Sequence, residues 1–311
     1  MNTKIILAVV ITLTIAVCIA LIYAGNFFYN LAINPNTSKK MIFNNEGVNH
    51  NELTYDEKWL EESSNFKDVF INSFDGLKLH AYEVLSNNKT NKWAITVHGY
   101  MVDAFSLSTK AFHYHKAGYN VLAVDLRSHG KSEGSYIGMG YHDSKDLIEW
   151  IKYIVKNNTD SEILLHGVSM GGATVMITSA QDELPQNVKV IIEDCGYSSC
   201  LGQFKYQLRK LFNLPSFPIL NIANIIVKLK AGYFLKDAAP IKYLTNSKVP
   251  MLFIHGDYDK FVPFYMLDEV YEACNTTKKR VIIEGASHAH AESENPQKYW
   301  REVDSFIKEF I

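Results

Sequence analysis

Short apolar runs separated by polar, glycine-containing segments recur along the chain from about residue 66 onward. Two of them, Val69–Phe74 and Leu77–Leu85, flank Asp75-Gly76, a dipeptide typical of tight turns, and predict a β-hairpin. Further strands are predicted at Trp93–Val97, Asn120–Val124, Glu162–His166, Val188–Glu193, Pro250–His255 and Arg280–Glu284. Helical patterns fill the gaps at about Ala104–Ala117, His142–Lys156, Gly171–Asp182, Pro263–Cys274 and Pro296–Phe310. This alternation predicts an α/β fold, a mostly parallel sheet with helices on both faces.

The N-terminal apolar run is much longer than the predicted strands and predicts a different kind of segment. Residues Ile5 to Gly25 carry no charge and would form about 31 Å of helix, enough to cross a bilayer core. The run is longer than a typical signal-peptide core, and no small-residue cleavage site follows it. We therefore predict an uncleaved transmembrane signal anchor, residues 1–33, which contributes nothing to the active site. A polar tether (34–65) would join it to one globular domain (66–311).

Two alternatives to an uncleaved anchor stay open. A cleaved signal peptide would leave a new N-terminus near residue 25. Cys18 suggests a lipoprotein, but Val17 precedes it where a small residue is needed.

Composition restricts the classes of function. The formal net charge is −2 and no basic stripe is present, which argues against a nucleic-acid partner. The four cysteines do not make a disulfide framework, and spacing alone does not establish whether Cys195 and Cys200 pair. No spacing of His, Cys, Asp or Glu predicts a metal site, and no phosphate-binding loop is found. We predict neither a cofactor nor a metal; the oligomeric state stays open.

The most specific chemical signal is Gly167-Val168-Ser169-Met170-Gly171, which follows a predicted strand and begins a predicted helix. A serine on such a sharp turn projects its hydroxyl from the sheet, and the flanking glycines allow the backbone to pack closely. The pattern alone also suits a glycine-rich turn with a solvated serine. Its strand and helix flanks favour Ser169 as a nucleophile.

A serine nucleophile needs a base, and the base needs an orienting acid. Both residue types follow later strands: Asp257 and Asp259 come after the strand ending at His255, and His288 and His290 come after the strand ending at Glu284. Carboxyl ends of parallel strands share one sheet edge, so these side chains are expected beside Ser169.

Five motifs follow one another along the chain: His98-Gly-Tyr100, Asp125-Leu-Arg-Ser-His-Gly-Lys-Ser132, Gly167-Val-Ser-Met-Gly-Gly172, His255-Gly-Asp-Tyr-Asp-Lys-Phe-Val-Pro263 and Gly285-Ala-Ser-His288. In this order they resemble the motifs of the α/β-hydrolase superfamily. Over about residues 66–311 the chain is similar to the bacterial serine-aminopeptidase-like branch, often membrane-anchored in Gram-positive bacteria. The resemblance implies an α/β-hydrolase fold with a helical lid at about residues 197–247.

The resemblance also assigns roles within the site. The family spacing of Asp, two residues, then Val-Pro favours Asp259 over Asp257, which would cap loop amides. The short spacer after Gly285 favours His288 over His290. The backbone amides of Tyr100 and Met170 would form the oxyanion hole.

The implied activity is that of a serine hydrolase that cleaves a carboxylic ester, on a small-molecule or lipid-like acyl substrate. Apolar lid side chains would line an acyl pocket or simply pack the lid onto the core. A serine peptidase of the aminopeptidase type or an acyltransferase is the alternative, and a non-catalytic binding protein is disfavoured by the complete triad. The few charges near the span do not determine its orientation. Resemblance to anchored bacterial hydrolases implies a single-pass protein of the cell membrane with an extracytoplasmic catalytic domain.

Overall fold

In the part of the chain that the structure describes, residues 3–43 and 54–311 of a computed structural model, eight strands form one sheet. They are β1 (Lys67–Asn72), β2 (Lys78–Val84), β3 (Lys92–Val97), β4 (Asn120–Asp125), β5 (Glu162–Val168), β6 (Val188–Asp194), β7 (Met251–Gly256) and β8 (Lys278–Ile283). The spatial order is β1-β2-β4-β3-β5-β6-β7-β8. β2 pairs antiparallel with β1 and with β4, and every other pairing is parallel.

The helices connect the strands or precede them. They are α1 (Thr3–Ala32), α2 (Tyr55–Glu62), α3 (Ser108–Lys116), α4 (Tyr141–Asn157), α5 (Met170–Thr178), α6 (Cys200–Phe212), α7 (Ile219–Ala231), α8 (Pro240–Leu244), α9 (Tyr265–Ala273), α10 (Ala291–Glu294) and α11 (Pro296–Ile307). A short 3₁₀ turn, Ala104–Leu107, leads into α3. The predicted hairpin and alternation of strands and helices are confirmed.

Alternating side chains of the central strands divide the core into two layers, because successive residues of a strand face opposite sides of the sheet. Leu122 and Val124 of β4 belong to the layer under α4, α5 and α9. Val121 and Ala123 belong to the layer under α3 and α11. With both faces covered, every residue of β4 is buried, as a central strand of a largely parallel sheet requires.

The segment between β6 and β7 forms α6, α7 and α8 rather than one crossover helix. α6 begins at the N-cap Ser199, whose hydroxyl accepts a hydrogen bond from Gly202 N, and ends at Asn213 in the left-handed conformation. α7 ends at Gly232, also left-handed. We keep the name lid for residues 197–247.

The predicted tether is corrected over residues 55–62, which form α2. A capping box begins this helix: Glu57 N donates to the Thr54 hydroxyl, and the Glu57 carboxylate accepts from Thr54 N. Trp59 and Leu60 are buried against α3. This apolar pair makes packing more favourable than solvation, so the segment is not a polar linker. Residues 44–53 of the predicted tether lie outside the described residues.

α1 has an exposed part and a packed part. Its first turns, through Ala20, are exposed, whereas Gly25, Tyr29 and Leu31 are buried. Among the described residues, α1 is the one helix long and apolar enough to cross a membrane. Its final turns pack on α7 of the lid.

Candidate active site

The turn between β5 and α5 holds Ser169 in a conformation that few residues adopt. Its φ is 57° and its ψ is −114°, a strained geometry that persists only where the surroundings impose it. A Cβ at Gly167 would collide with the Gly171 carbonyl, and one at Gly171 would collide with the Val97 carbonyl. Both glycines are therefore required by close backbone approach, and the predicted elbow geometry is present.

Three side chains predicted from separate strands form one chain of hydrogen bonds. The Ser169 hydroxyl lies 2.8 Å from His288 Nε2, and His288 Nδ1 lies 2.7 Å from Asp259 Oδ2. With Nδ1–H donating to the carboxylate, Nε2 accepts the serine proton, which is the tautomer that a general base needs. The arrangement can activate a serine hydroxyl for attack on a carbonyl carbon.

The turn after β7 holds the Asp259 carboxylate. Its Oδ1 accepts hydrogen bonds from the backbone amides of Phe261 and Val262, at 2.8 and 2.9 Å. His255 Nε2 is 3.2 Å from Oδ2. Burial acts to raise the pKa of Asp259, but the hydrogen bonds and charges of His255 and His288 outweigh it and hold that pKa well below its ordinary value. The group is therefore an ionised acceptor at neutral pH.

The two amides predicted for an oxyanion hole are those of Met170 and Tyr100. Met170 is the first residue of α5, so its N–H has no intrahelical acceptor and points toward the helix N-terminus. Tyr100 follows Gly99, and a Cβ at Gly99 would come within 3.4 Å of the Ser169 Cβ. The backbone after β3 thus runs directly beside the serine.

The competing candidates have other partners. The Asp257 carboxylate accepts a hydrogen bond from Gly285 N at 2.7 Å, in the loop-capping role predicted for it. The exposed His290 Nδ1 lies 2.7 Å from the His288 carbonyl. The Ser169 hydroxyl therefore contacts the ring of His288, and that ring contacts Asp259 rather than Asp257.

Two buried histidines near the site brace loops. His98 Nδ1 donates to the Gly99 carbonyl at 2.7 Å, and its Nε2 accepts from Leu126 N at 3.0 Å. Burial and the neighbouring His129 lower the pKa of His98 to about 3. His129 similarly accepts from Met101 N and donates to the Arg127 carbonyl. Neither ring is available as a second base.

A third histidine, His166, lies in a buried network behind the elbow. The Tyr114 hydroxyl is 2.7 Å from His166 Nδ1, and His166 Nε2 is 2.9 Å from the Tyr299 hydroxyl. The Tyr299 hydroxyl donates onward to Asp194, whose carbonyl accepts from Ser169 N. His166 therefore supports the elbow structurally.

Two cavities meet at Ser169. One is apolar, has a volume of about 100 Å³ and lies between the end of α1, the lid and the Tyr100 loop. The other is larger, about 760 Å³, and more polar; His288, Glu292 and Lys110 contribute to its walls. We call them the apolar pocket and the polar groove. A substrate with one apolar and one polar portion could extend into both from the serine.

The prediction that residues 1–33 contribute nothing to the active site is wrong in this structure. Tyr29, Leu31 and Ile33 are buried and line the apolar pocket. The Ile33 carbonyl accepts from Ile137 N at 2.9 Å, and the Ala32 carbonyl accepts from the Tyr100 hydroxyl at 2.8 Å. The apolar pattern continues beyond Gly25, and the lid covers this continuation.

One group of potential metal ligands coincides with the site. Ligand-type atoms of Cys195, Asp259 and His288 lie within 4.8 Å of one another. Burial raises the pKa of the Cys195 thiol well above its ordinary value, which disfavours the thiolate. The facing atoms of Asp259 and His288 are hydrogen-bonded to each other. These three residues therefore give no support for a metal site.

Comparisons with known proteins address the family. Residues 88–193 match the family described as "Serine aminopeptidase, S33". Over 261 residues the chain is 30% identical to "Uncharacterized protein YqkD" of Bacillus subtilis (strain 168), covering 79% of this chain and 84% of that protein. The fold is similar to that of the Pyrococcus furiosus esterase Pf2001, with a TM-score of 0.64, 24% identity and coverage of 84% of this chain and 97% of that one. The chain belongs to the α/β-hydrolase superfamily.

A further relative of this α/β-hydrolase comes from yeast. Over 239 residues the chain is 25% identical to "Uncharacterized membrane protein YNL320W" of Saccharomyces cerevisiae, covering 76% of this chain and 77% of that protein. The predicted α/β-hydrolase fold is confirmed, and the protein is a hydrolase of this superfamily.

Sequence reasoning missed two parts of the hydrolase site. His255, buried at the end of β7, contacts Asp259 and donates to the Val262 carbonyl from Nε2 at 3.1 Å. A histidine at the carboxyl edge of an otherwise apolar strand was the available signal. The other missed part is the end of α1, which lines the apolar pocket. The aromatic residues that follow Gly25 were the sequence feature that indicated it.

Proposed function

We propose that this α/β-hydrolase is a membrane-anchored serine hydrolase that cleaves carboxylic esters through an acyl-enzyme. The observation that carries the proposal is the chain of short hydrogen bonds from Ser169 through His288 to Asp259, on a strained elbow. A solvated serine on a glycine turn would need neither the strained φ nor a histidine partner that is itself bonded to a buried carboxylate.

The reaction follows from these contacts. Ser169 Oγ attacks the ester carbonyl carbon as His288 Nε2 takes the hydroxyl proton, and Asp259 stabilises the resulting imidazolium. The amides of Met170 and Tyr100 donate to the oxyanion. Collapse expels the alkoxide, which takes the proton from His288, and leaves an acyl-serine. Water, deprotonated by His288, then attacks the acyl carbonyl carbon. Collapse breaks the bond to Ser169 Oγ, which takes the proton back from His288, and the carboxylic acid leaves.

The two cavities support an ester with an apolar acyl group. In the described residues the apolar pocket has no charged side chain in its lining. An acyl chain can occupy it without leaving a buried charge unpaired, while the leaving alcohol faces the polar groove.

An aminopeptidase-like activity is the second candidate, because the matched family is described as a serine aminopeptidase. A substrate with a free α-ammonium group needs an acidic partner close to the scissile bond. The apolar pocket offers none among its described lining residues. In the polar groove Glu292 is hydrogen-bonded to Lys110 at 2.6 Å, and Asp56 and Glu57 lie at the start of α2, where Glu57 accepts from Thr54 N. These contacts favour the ester.

Membrane attachment through α1 is part of the proposal. The exposed turns before Gly25 have the length and composition of a bilayer span. We propose a single-pass protein of the cell membrane, of the anchored type of Gram-positive bacteria, with the catalytic domain outside the cytoplasm. Carbonate-resistant pelleting of the full chain, and digestion of the domain by protease added to intact protoplasts, are the expected results.

A fluorophosphonate probe tests the chemistry, since only an activated serine is labelled. We expect covalent labelling of wild type and none of Ser169→Ala, with turnover of p-nitrophenyl esters lowered roughly 10³-fold or more. Ser287→Ala is the matched control, because Ser287 lies near the site in a loop and has no bond to His288 Nε2. Equal labelling of wild type and Ser169→Ala would reject the proposal.

A further inference from the structure

The turns of α1 after Gly25 continue from the proposed membrane span directly into the wall of the apolar pocket. At 1.5 Å per residue the helix Thr3–Ala32 is about 45 Å long, whereas a bilayer core is about 30 Å thick. About 15 Å of helix therefore extends beyond the core. The burial of Tyr29 and Leu31 places that length on the enzyme.

Close packing holds this part of α1 against the lid. A Cβ at Gly25 would come within 2.7 Å of Ile222 Cγ2 and 2.8 Å of Ile226 Cδ1, so the two helices approach as closely as a glycine permits. Beside this contact, Lys230 Nζ donates to Asn26 Oδ1 at 2.9 Å. A larger side chain at position 25 has to separate α1 from α7.

The helices separate beyond this contact and enclose the apolar pocket. Phe28 and Phe212 pack edge to face with ring centroids 5.3 Å apart at one side, and Leu208, Leu220 and Ala223 contribute other walls. The volume of about 100 Å³ is several times the 10–15 Å³ that one water requires. Most of its lining side chains are apolar, so an alkyl chain is the ligand that it accommodates best.

We infer that the last two turns of α1 and the lid together form an acyl-binding site for the medium- to long-chain acyl group of an ester. This inference rests on the proposed function, because the acyl carbonyl must reach Ser169. It makes the membrane helix a part of the specificity site rather than a separate anchor. The acyl ester can come from the membrane that α1 enters or from a soluble acyl ester.

The test uses the full chain reconstituted in phosphatidylglycerol vesicles and compares kcat/KM for p-nitrophenyl octanoate and acetate. Each buried methylene contributes about 0.8 kcal/mol, so wild type should prefer octanoate at least about tenfold. Ala223→Phe fills the pocket and Gly25→Leu separates α1 from α7. Each should lower the octanoate-to-acetate ratio at least about tenfold.

Matched controls place the same side chains outside the pocket. Ile225→Phe lies on the exposed face of α7, and Ala20→Leu lies on the exposed part of α1. Both should keep the wild-type ratio. Two substrates distinguish the sources of the acyl ester. A dioctanoyl glycerolipid in the same vesicles represents a membrane substrate, and a water-soluble octanoyl ester represents a soluble one. Turnover of the lipid assigns the source to the membrane, and turnover of the soluble ester alone assigns it to soluble esters.

Fluorophosphonate labelling separates this inference from the proposed function. If Ser169 is labelled but Ala223→Phe and Gly25→Leu keep the wild-type ratio, the acyl site is elsewhere and the inference is overturned. If Ser169 is not labelled and neither ester is cleaved, the hydrolase proposal itself fails. Circular dichroism and retained labelling of both variants distinguish a narrowed pocket from an unfolded domain.

Discussion

The Tyr100 hydroxyl donates a hydrogen bond to the Ala32 carbonyl across 2.8 Å, which joins the last residue of α1 to the loop beside Ser169. Tyr100 also carries one of the two amides proposed to stabilise the oxyanion. Its ring lines the apolar pocket, and burial raises the pKa of its hydroxyl far above the ordinary value, so the phenol stays a neutral donor. One residue therefore connects the proposed membrane helix, the pocket and the reaction centre.

Tyr100→Phe should lower kcat for octanoate roughly threefold to tenfold. The amide remains, but the loop loses its hydrogen bond to α1 and the half-buried Ala32 carbonyl loses a donor, at a cost of about 1–2 kcal/mol. Ester hydrolysis at saturating substrate is the measurement. Tyr243→Phe removes a comparable bond, to the Asp237 carbonyl at 3.2 Å, away from Ser169 and should keep the wild-type kcat. Equal losses in both variants would contradict the role of the Tyr100–Ala32 bond.

Chains truncated before and after the packed turns of α1 should differ in thermal stability and in preference for octanoate. A chain that begins at Gly25 keeps Tyr29, Leu31 and Ile33 and should hydrolyse octanoate in buffer with near wild-type selectivity. A chain that begins at Asn34 loses three buried side chains, each worth about 1.5–3 kcal/mol of burial. We expect it to melt at lower temperature and to lose its preference for octanoate. Thermal melting and kcat/KM check both results, and identical behaviour of the two chains would show that α1 is only an anchor.

Asp259→Asn should lower kcat by about 10²–10⁴-fold, because an amide at this position favours the wrong histidine tautomer. Asp257→Asn keeps an oxygen that accepts from Gly285 N and should stay within about threefold of wild type. Both are measured at saturating substrate, so that altered binding does not pass for altered chemistry. The reverse order would reassign the acid to Asp257.

The stability contribution of His98 should depend on pH. Its pKa of about 3 lies below the ordinary 6.5, so the folded protein keeps this ring neutral while the unfolded chain protonates it below pH 6.5. Wild type therefore loses stability on acidification, and His98→Asn lacks this loss. The free energy of unfolding of wild type, relative to that of the variant, should therefore fall by about 2 kcal/mol between pH 6.5 and 5. Urea unfolding in detergent at both pH values measures it, and a constant difference would refute the neutral buried ring.

The sequence by itself determined the strand and helix alternation, the hairpin at Asp75-Gly76 and the elbow around Ser169. These features depend on local periodicity and on turn chemistry, which neighbouring residues already encode. The order of serine, acid and histidine also followed from the sequence, because each candidate comes directly after a strand. Their assignment as a catalytic triad stays a prediction that the geometry supports.

The tertiary structure alone decided what covers each apolar surface. An uncharged helix has the same pattern whether lipid or protein surrounds it, so no periodicity separates the exposed turns of α1 from those packed on the lid. Contacts such as Gly25 with Ile222 and His255 with Asp259 depend on how the chain folds back on itself. The sequence specified the reactive groups because each stands in a local motif directly after a strand. The fold specified their contacts and the pocket, because these bring together distant parts of the chain.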